Sequence, residues 1–177
     1  MCIRDRVLDD ADFAAVMPLI LQGGFMNSGQ ACVAGTRILV PRHRLAEFEQ
    51  AMLDAVSRIK SGDPREADTD IGPMVSARQW ERVQGYIRLG TQEGARLLAG
   101  GEGRPQGLGA GWFVKPTIFT DVQNEMRIAQ EEIFGPVLAI IAYDDDAHAI
   151  ALANDTRYGL SAMVLGRDVA RCGRIAR

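Results

Sequence analysis

Apolar residues recur three and four apart in some stretches of this chain and run unbroken in others, which separates helices from strands. Leu45, Phe48, Met52, Val56 and Ile59 share one face of an amphipathic helix, and Ser61-Gly62-Asp63-Pro64 supplies its stop. Asp9, Asp10 and Asp12 precede an apolar stretch that predicts a helix to about Phe25, broken by Asn27-Ser28-Gly29. Trp80, Val83 and Ile87 stripe another helix, opened by Ser76 and Gln79 as a capping box and closed by Gly90 or Gly94. Asp144, Asp145 and Asp146 cap a helix through Asn154, and Asp168 caps a last one still running at Arg177. Residues 37–40 (ended by Pro41), 95–99, 112–120, 136–143 and 161–165 read as strands. The alternation predicts an α/β domain.

Composition narrows the function classes. The 177 residues are 47% hydrophobic and 24% charged, enough to bury a core, which excludes a disordered tail or a disulfide-stapled miniprotein. A net charge of −3 gives no general attraction to nucleic acid or to anionic membranes. The longest apolar run, residues 14–21, contains Pro18 and falls short of the ~18–20 residues that span a bilayer. The first residues lack the apolar core of a signal peptide. Cys2, Cys32 and Cys172 form no CxxC pair, so neither a disulfide framework nor a metal site is expected, and a reduced cytoplasmic setting is the simpler reading.

Cys32 is the candidate for chemistry. It lies in Phe25-Met26-Asn27-Ser28-Gly29-Gln30-Ala31-Cys32, where small residues let backbone N–H groups point into a site. An isolated cysteine reads first as a small buried apolar residue; a thiol in such a loop also becomes a nucleophile when its surroundings favour the thiolate. His43 and His148 sit in polar, charged surroundings and read as surface residues, so a Cys–His dyad has little support. The glycines between Gly100 and Gly111 include no Gly-x-Gly-x-x-Gly opening a helix and read as a loop joining two strands.

The Phe-x-Asn-x-Gly-Gln-x-Cys pattern of residues 25–32 resembles the nucleophile motif of the aldehyde dehydrogenase superfamily. Three further segments resemble its motifs in order: Gly72-Pro73-Met74-Val75-Ser76, Glu131-Glu132-Ile133-Phe134-Gly135-Pro136-Val137, and Asn154-Asp155-Thr156-Arg157-Tyr158-Gly159-Leu160. The resemblance covers residues 7–177. It implies a three-layer α/β catalytic domain with a mostly parallel sheet, truncated at both ends, and residues 1–6 look foreign to the family pattern. It also implies oxidation of a small-molecule aldehyde to a carboxylic acid with NAD or NADP, through a thiohemiacetal and a thioester on Cys32. In that reading the Cys32 N–H helps hold the oxyanion, Glu132 binds the nicotinamide-side ribose, Phe134 lies beside it, and Gln79 and Arg82 face the adenosine-side ribose.

The family's Glu-Leu-Gly-Gly-Lys segment, with its general base, has no counterpart in residues 1–6, nor has the asparagine of the oxyanion hole. The 177 residues alone are therefore expected to be inactive, and the intact enzyme to be a homo-oligomer. Other thiol chemistry, such as CoA-dependent acyl transfer, and a non-catalytic structural role are the alternatives.

Overall fold

A computed structural model describes residues 4–177; Cys2 and the first three of the six residues expected to be foreign lie outside the described residues. Six strands form one sheet: β1 (Arg4–Val7), β2 (Arg37–Pro41), β3 (Arg96–Ala99), β4 (Thr117–Thr120), β5 (Val137–Tyr143) and β6 (Val164–Leu165). Their order is β3-β4-β5-β2-β1-β6, and every neighbouring pair is parallel except β3 with β4.

The central strands β2 and β5 are apolar on both faces because both faces are covered. Ile38, Val40, Leu138 and Ile140 pack with Met17 and Ile20 of α1 (Phe13–Phe25) and with Phe48 and Met52 of α2 (Leu45–Val56). The alternate residues Leu39, Val137, Ala139 and Ile141 pack with α3 (Ala77–Gln92), through Val83 and Ile87, and with α5 (Asp146–Asn154), through Ala149 and Ala153. Two short helices, α4 (Arg127–Gln130) and α6 (Val169–Ile175), complete the fold. The result is a mixed α/β, three-layer architecture with a mostly parallel sheet.

Helix starts follow local capping chemistry. Asp12, Ser76, Asp145 and Asp168 each accept a hydrogen bond from an N–H of the first turn, at 3.1, 3.2, 2.8 and 2.9 Å. Ends and pairings depart more from expectation. The apolar spacing continues to Ile59, but α2 ends at Val56: Arg58 and Ile59 bond three residues back, to Ala55 and Val56, a tightening common at helix C-termini. Helix α3 continues past Gly90 to Gln92, and Gly94 follows with φ +95°. The last helix stops at Ile175. The strand expected over 112–120 pairs only from Thr117, and that over 161–165 only at Val164–Leu165.

Strand β1 had no counterpart in the pattern, for a physical reason. Its Asp5 and Arg6 are buried, against the composition of an interior parallel strand. The Asp5 carboxylate accepts one bond, from the Met163 N–H at 3.3 Å, and its Oδ2 has no partner among the described residues. Burial pushes this carboxyl up to about 7.

Candidate active site

Helix α1 gives way at Met26 to three successive left-handed residues, Asn27 (φ 51°), Ser28 (φ 59°) and Gly29 (φ 71°). The first two cost roughly 1–2 kcal/mol each in that conformation, and tertiary bonds offset the cost. The buried Ser28 hydroxyl donates to Gly72 O at 3.1 Å. The Asn27 amide donates to Gln30 O at 3.1 Å, and Gln30 Oε1 accepts from the Val75 N–H at 2.9 Å. Gly29 is irreplaceable here: a Cβ would stand 2.1 Å from Gly135 O. The nucleophile motif is thus seated on two other motifs, Gly72–Ser76 and Glu131–Val137.

Cys32 lies in the turn that follows, closed by Ala34 N–H to Ala31 O at 3.0 Å. It is exposed, so the reading of a small buried residue does not hold. Its N–H has no protein acceptor among the described residues. Cys172, by contrast, is half-buried in α6, where burial pushes its thiol up, with Asp10 and Asp168 adding to the effect.

The second wall is the segment 131–135, gripped by one face of α3. Residues 79, 82, 83 and 86 of α3 lie three, four and seven apart, so they share a face. Tyr86 donates its hydroxyl to Glu131 Oε2 at 2.6 Å, and Arg127 bonds the same carboxylate at 2.8 and 3.1 Å. Arg127 first, then Tyr86, hold that carboxyl down at about 2. Arg82 donates to Glu132 O at 2.6 Å, and Gln79 Nε2 donates to Ile133 O at 3.1 Å and Phe134 O at 2.7 Å. Val83 fills the space a side chain at Gly135 would need, 2.5 Å from such a Cβ. Phe134 itself is left-handed, at φ 61°. Glu132 and Phe134 are half-buried.

Four of the five candidate site residues, Gln79, Arg82, Glu132 and Phe134, therefore meet, and Gly29 on Gly135 brings the loop of the fifth, Cys32, against them. The capping box is only half present, since Ser76 caps Gln79 N–H while the Gln79 side chain turns to the 133–134 carbonyls. The fourth motif joins through Asp155, bonded by Asn124 at 2.5 Å and by Gln130 at 3.0 Å. His43 stays apart: Cys32 precedes β2 and His43 follows it, with a five-residue strand, about 17 Å long, between them. Tyr86 and Arg127 were missed by the sequence reading. Tyr86 was findable, because it continues the helical spacing from Gln79 and Arg82.

This assembly is shared with known proteins. A family model described as the aldehyde dehydrogenase family matches residues 6–177. A Staphylococcus haemolyticus relative is 47% identical over 171 residues, 97% of this chain and 36% of its own length. The chain thus spans about a third of the curated relatives it matches. Among solved structures, an aldehyde dehydrogenase from Mycobacterium tuberculosis in complex with NAD+ is 49% identical with a TM-score of 0.96, covering 98% of this chain and 36% of that one. Aldehyde dehydrogenase C from Pseudomonas syringae, a mutant in complex with NAD+ and octanal, is 46% identical with a TM-score of 0.96, at the same coverage. The betaine aldehyde dehydrogenase of Staphylococcus aureus with NAD+ is 39% identical, TM-score 0.95, covering 98% of this chain and 35% of that one. With a family model that spans nearly all its residues and a fold superposable on these enzymes, this chain belongs to the aldehyde dehydrogenase family.

Proposed function

We propose that these residues form the thiol half of a site that oxidises an aldehyde to a carboxylic acid with NAD or NADP. The carrying observation is the seating of Gly29 on Gly135, which puts the loop of an exposed thiol against the segment that holds Glu132 and Phe134. The Cys32 thiolate adds to the aldehyde carbon, forming a C–S bond and an alkoxide that the Cys32 N–H stabilises. Loss of hydride from that carbon leaves a thioester, and water then cleaves the C–S bond, releasing acid and restoring the thiol. The dinucleotide, when bound, supplies the hydride acceptor. Glu132 suits its ribose, because one carboxylate accepts from two vicinal hydroxyls, and Phe134 gives an apolar edge beside it. Residues 1–177 contain no counterpart of the family's general base, so by themselves they are expected to capture an aldehyde without sustained turnover.

Capture is testable on this chain. Iodoacetamide should alkylate Cys32 faster than Cys172 at neutral pH, and octanal should slow the reaction at Cys32 alone, both read by peptide mass spectrometry. Equal rates at the two cysteines, or no protection by the aldehyde, would sink the reading.

A further inference from the structure

The residue before Glu132 is bonded through backbone and side chain alike. Oε1 of Glu131 accepts from Arg127 Nε at 2.8 Å, and Oε2 accepts from Arg127 Nη2 at 3.1 Å and from the Tyr86 hydroxyl at 2.6 Å. Paired bonds from one guanidinium fix the plane of a carboxylate as well as its position. The Glu131 N–H also donates to Arg127 O at 2.8 Å, so residues 127 and 131 are joined twice. Arg127 opens α4, a helix of four residues with no side-chain cap of its own, far shorter than a helix that holds itself in water. The Arg127 N–H donates instead to Glu93 Oε2, just past the end of α3, at 3.0 Å. Glu93 and Tyr86 lie seven residues apart, two helical turns, on one side of α3. One holds the start of α4 and the other its end, and Ile128 and Ala129 between them are buried.

Beyond that anchor the chain is extended: Glu131 has φ −114° and ψ 149°. In extended backbone successive side chains point to opposite sides. With the Glu131 carboxylate held against α3 and α4, the Glu132 carboxylate is turned the other way.

We propose that Glu131 is a positioning residue: clamped by Arg127 and Tyr86, it sets the direction from which the Glu132 carboxylate meets the nicotinamide-side ribose. This rests on the reading of Glu132 as the ribose contact. Helix α3 retains groups that suit the dinucleotide itself, since Gln79 Oε1 and Arg82 Nε and Nη1 make no hydrogen bond among the described residues.

The test is a double-mutant cycle in the 177-residue chain, with nicotinamide mononucleotide as the probe and NMR titration as the readout. Glu131→Gln removes the charge that Arg127 and Tyr86 hold and should weaken binding about tenfold. Because the effect passes through Glu132, the same substitution in a Glu132→Gln background should change binding less than ~twofold. An equal loss in both backgrounds, or no loss in either, would overturn the assignment. Iodoacetamide should alkylate Cys32 at the wild-type rate in Glu131→Gln. Should that rate rise because the chain loosens at large, Tyr86→Phe removes a single bond and decides the same question, with a loss of about threefold that vanishes in the Glu132→Gln background. If Glu132→Gln alone leaves binding unchanged, or the wild-type chain binds no nicotinamide mononucleotide, the ribose reading of Glu132 is what fails. Amide hydrogen exchange then decides the clamp: Glu131→Gln should speed exchange at residues 132 and 133 about tenfold, and unchanged exchange there overturns it.

Discussion

The thiol loop and strand β1 both carry polar side chains into the interior, and they treat them in opposite ways. In the loop, Ser28 is buried with its hydroxyl on Gly72 O, and the exposed face of the turn is clamped through Gln30 to Val75. In β1, Asp5 is wholly buried with one oxygen orphaned and its side chain wedged where only Gly35 leaves room, since a Cβ there would be 2.1 Å from Asp5 Oδ2. A satisfied buried polar group fixes geometry, whereas an unsatisfied one costs stability and titrates. The loop is strained but determined; the strand is regular but carries a penalty.

The largest expected effect tests the determined side. Gly29→Ala drives a methyl into the Gly135 carbonyl and denies φ 71°. Overpacking against backbone together with the left-handed cost predicts a loss of about 4 kcal/mol, measured by denaturant unfolding. A loss under ~1 kcal/mol would show that the two motifs are not rigidly apposed.

The next effect tests the penalised side. A carboxyl lifted from 3.8 to about 7 by burial binds a proton in the folded state that the unfolded state has released. Stability should therefore fall as pH rises from about 4 to about 7 and stay low above that. At pH 8 this corresponds to roughly 4 kcal/mol, so Asp5→Val, which also forfeits the bond from Met163 N–H, should stabilise by ~3 kcal/mol. It should also flatten the limb between pH 4 and 7. A variant less stable than wild type at pH 8 would show that the carboxylate is better accommodated than its geometry suggests.

Ser28→Ala sharpens the contrast at smaller scale. It leaves Gly72 O without its donor and should cost about 1–2 kcal/mol, with slower alkylation protection of Cys32 by aldehyde as the loop loosens. Smallest is Tyr86→Phe, which removes one of the two groups holding Glu131 down. That depressed carboxyl adds stability above its ordinary 4.5, lost as pH falls towards 2. The variant should lose about 1 kcal/mol at neutral pH and show a shallower acid limb, read from melting temperature against pH. An acid limb identical to wild type would mean that Arg127 alone sets Glu131.

How far the sequence carried depends on the range of the physics. Asp12, Ser76, Asp145 and Asp168 were readable as caps because a cap bonds its own first turn. The unbroken apolar run of β5 was readable because both sheet faces are covered. Motif resemblance singled out Cys32, Glu132 and Phe134 as candidates. The same reading could not show β1, since Asp5 and Arg6 contradict the local signal and only pairing with β2 and β6 makes the strand. Nor could it show that Gln79, apparently half of a capping box, spends its amide fifty-four residues away.

The starts of α1, α3, α5 and α6 and the apolar run of β5 were decided by the sequence alone, because periodicity and capping act within a few residues. The contacts of Gly29 with Gly135, of Gln30 with Val75, and of Gln79 and Arg82 with residues 132–134 were decided only in three dimensions. Each joins segments more than forty residues apart, and a hydrogen-bond donor leaves no trace in its local sequence of which distant carbonyl will accept it.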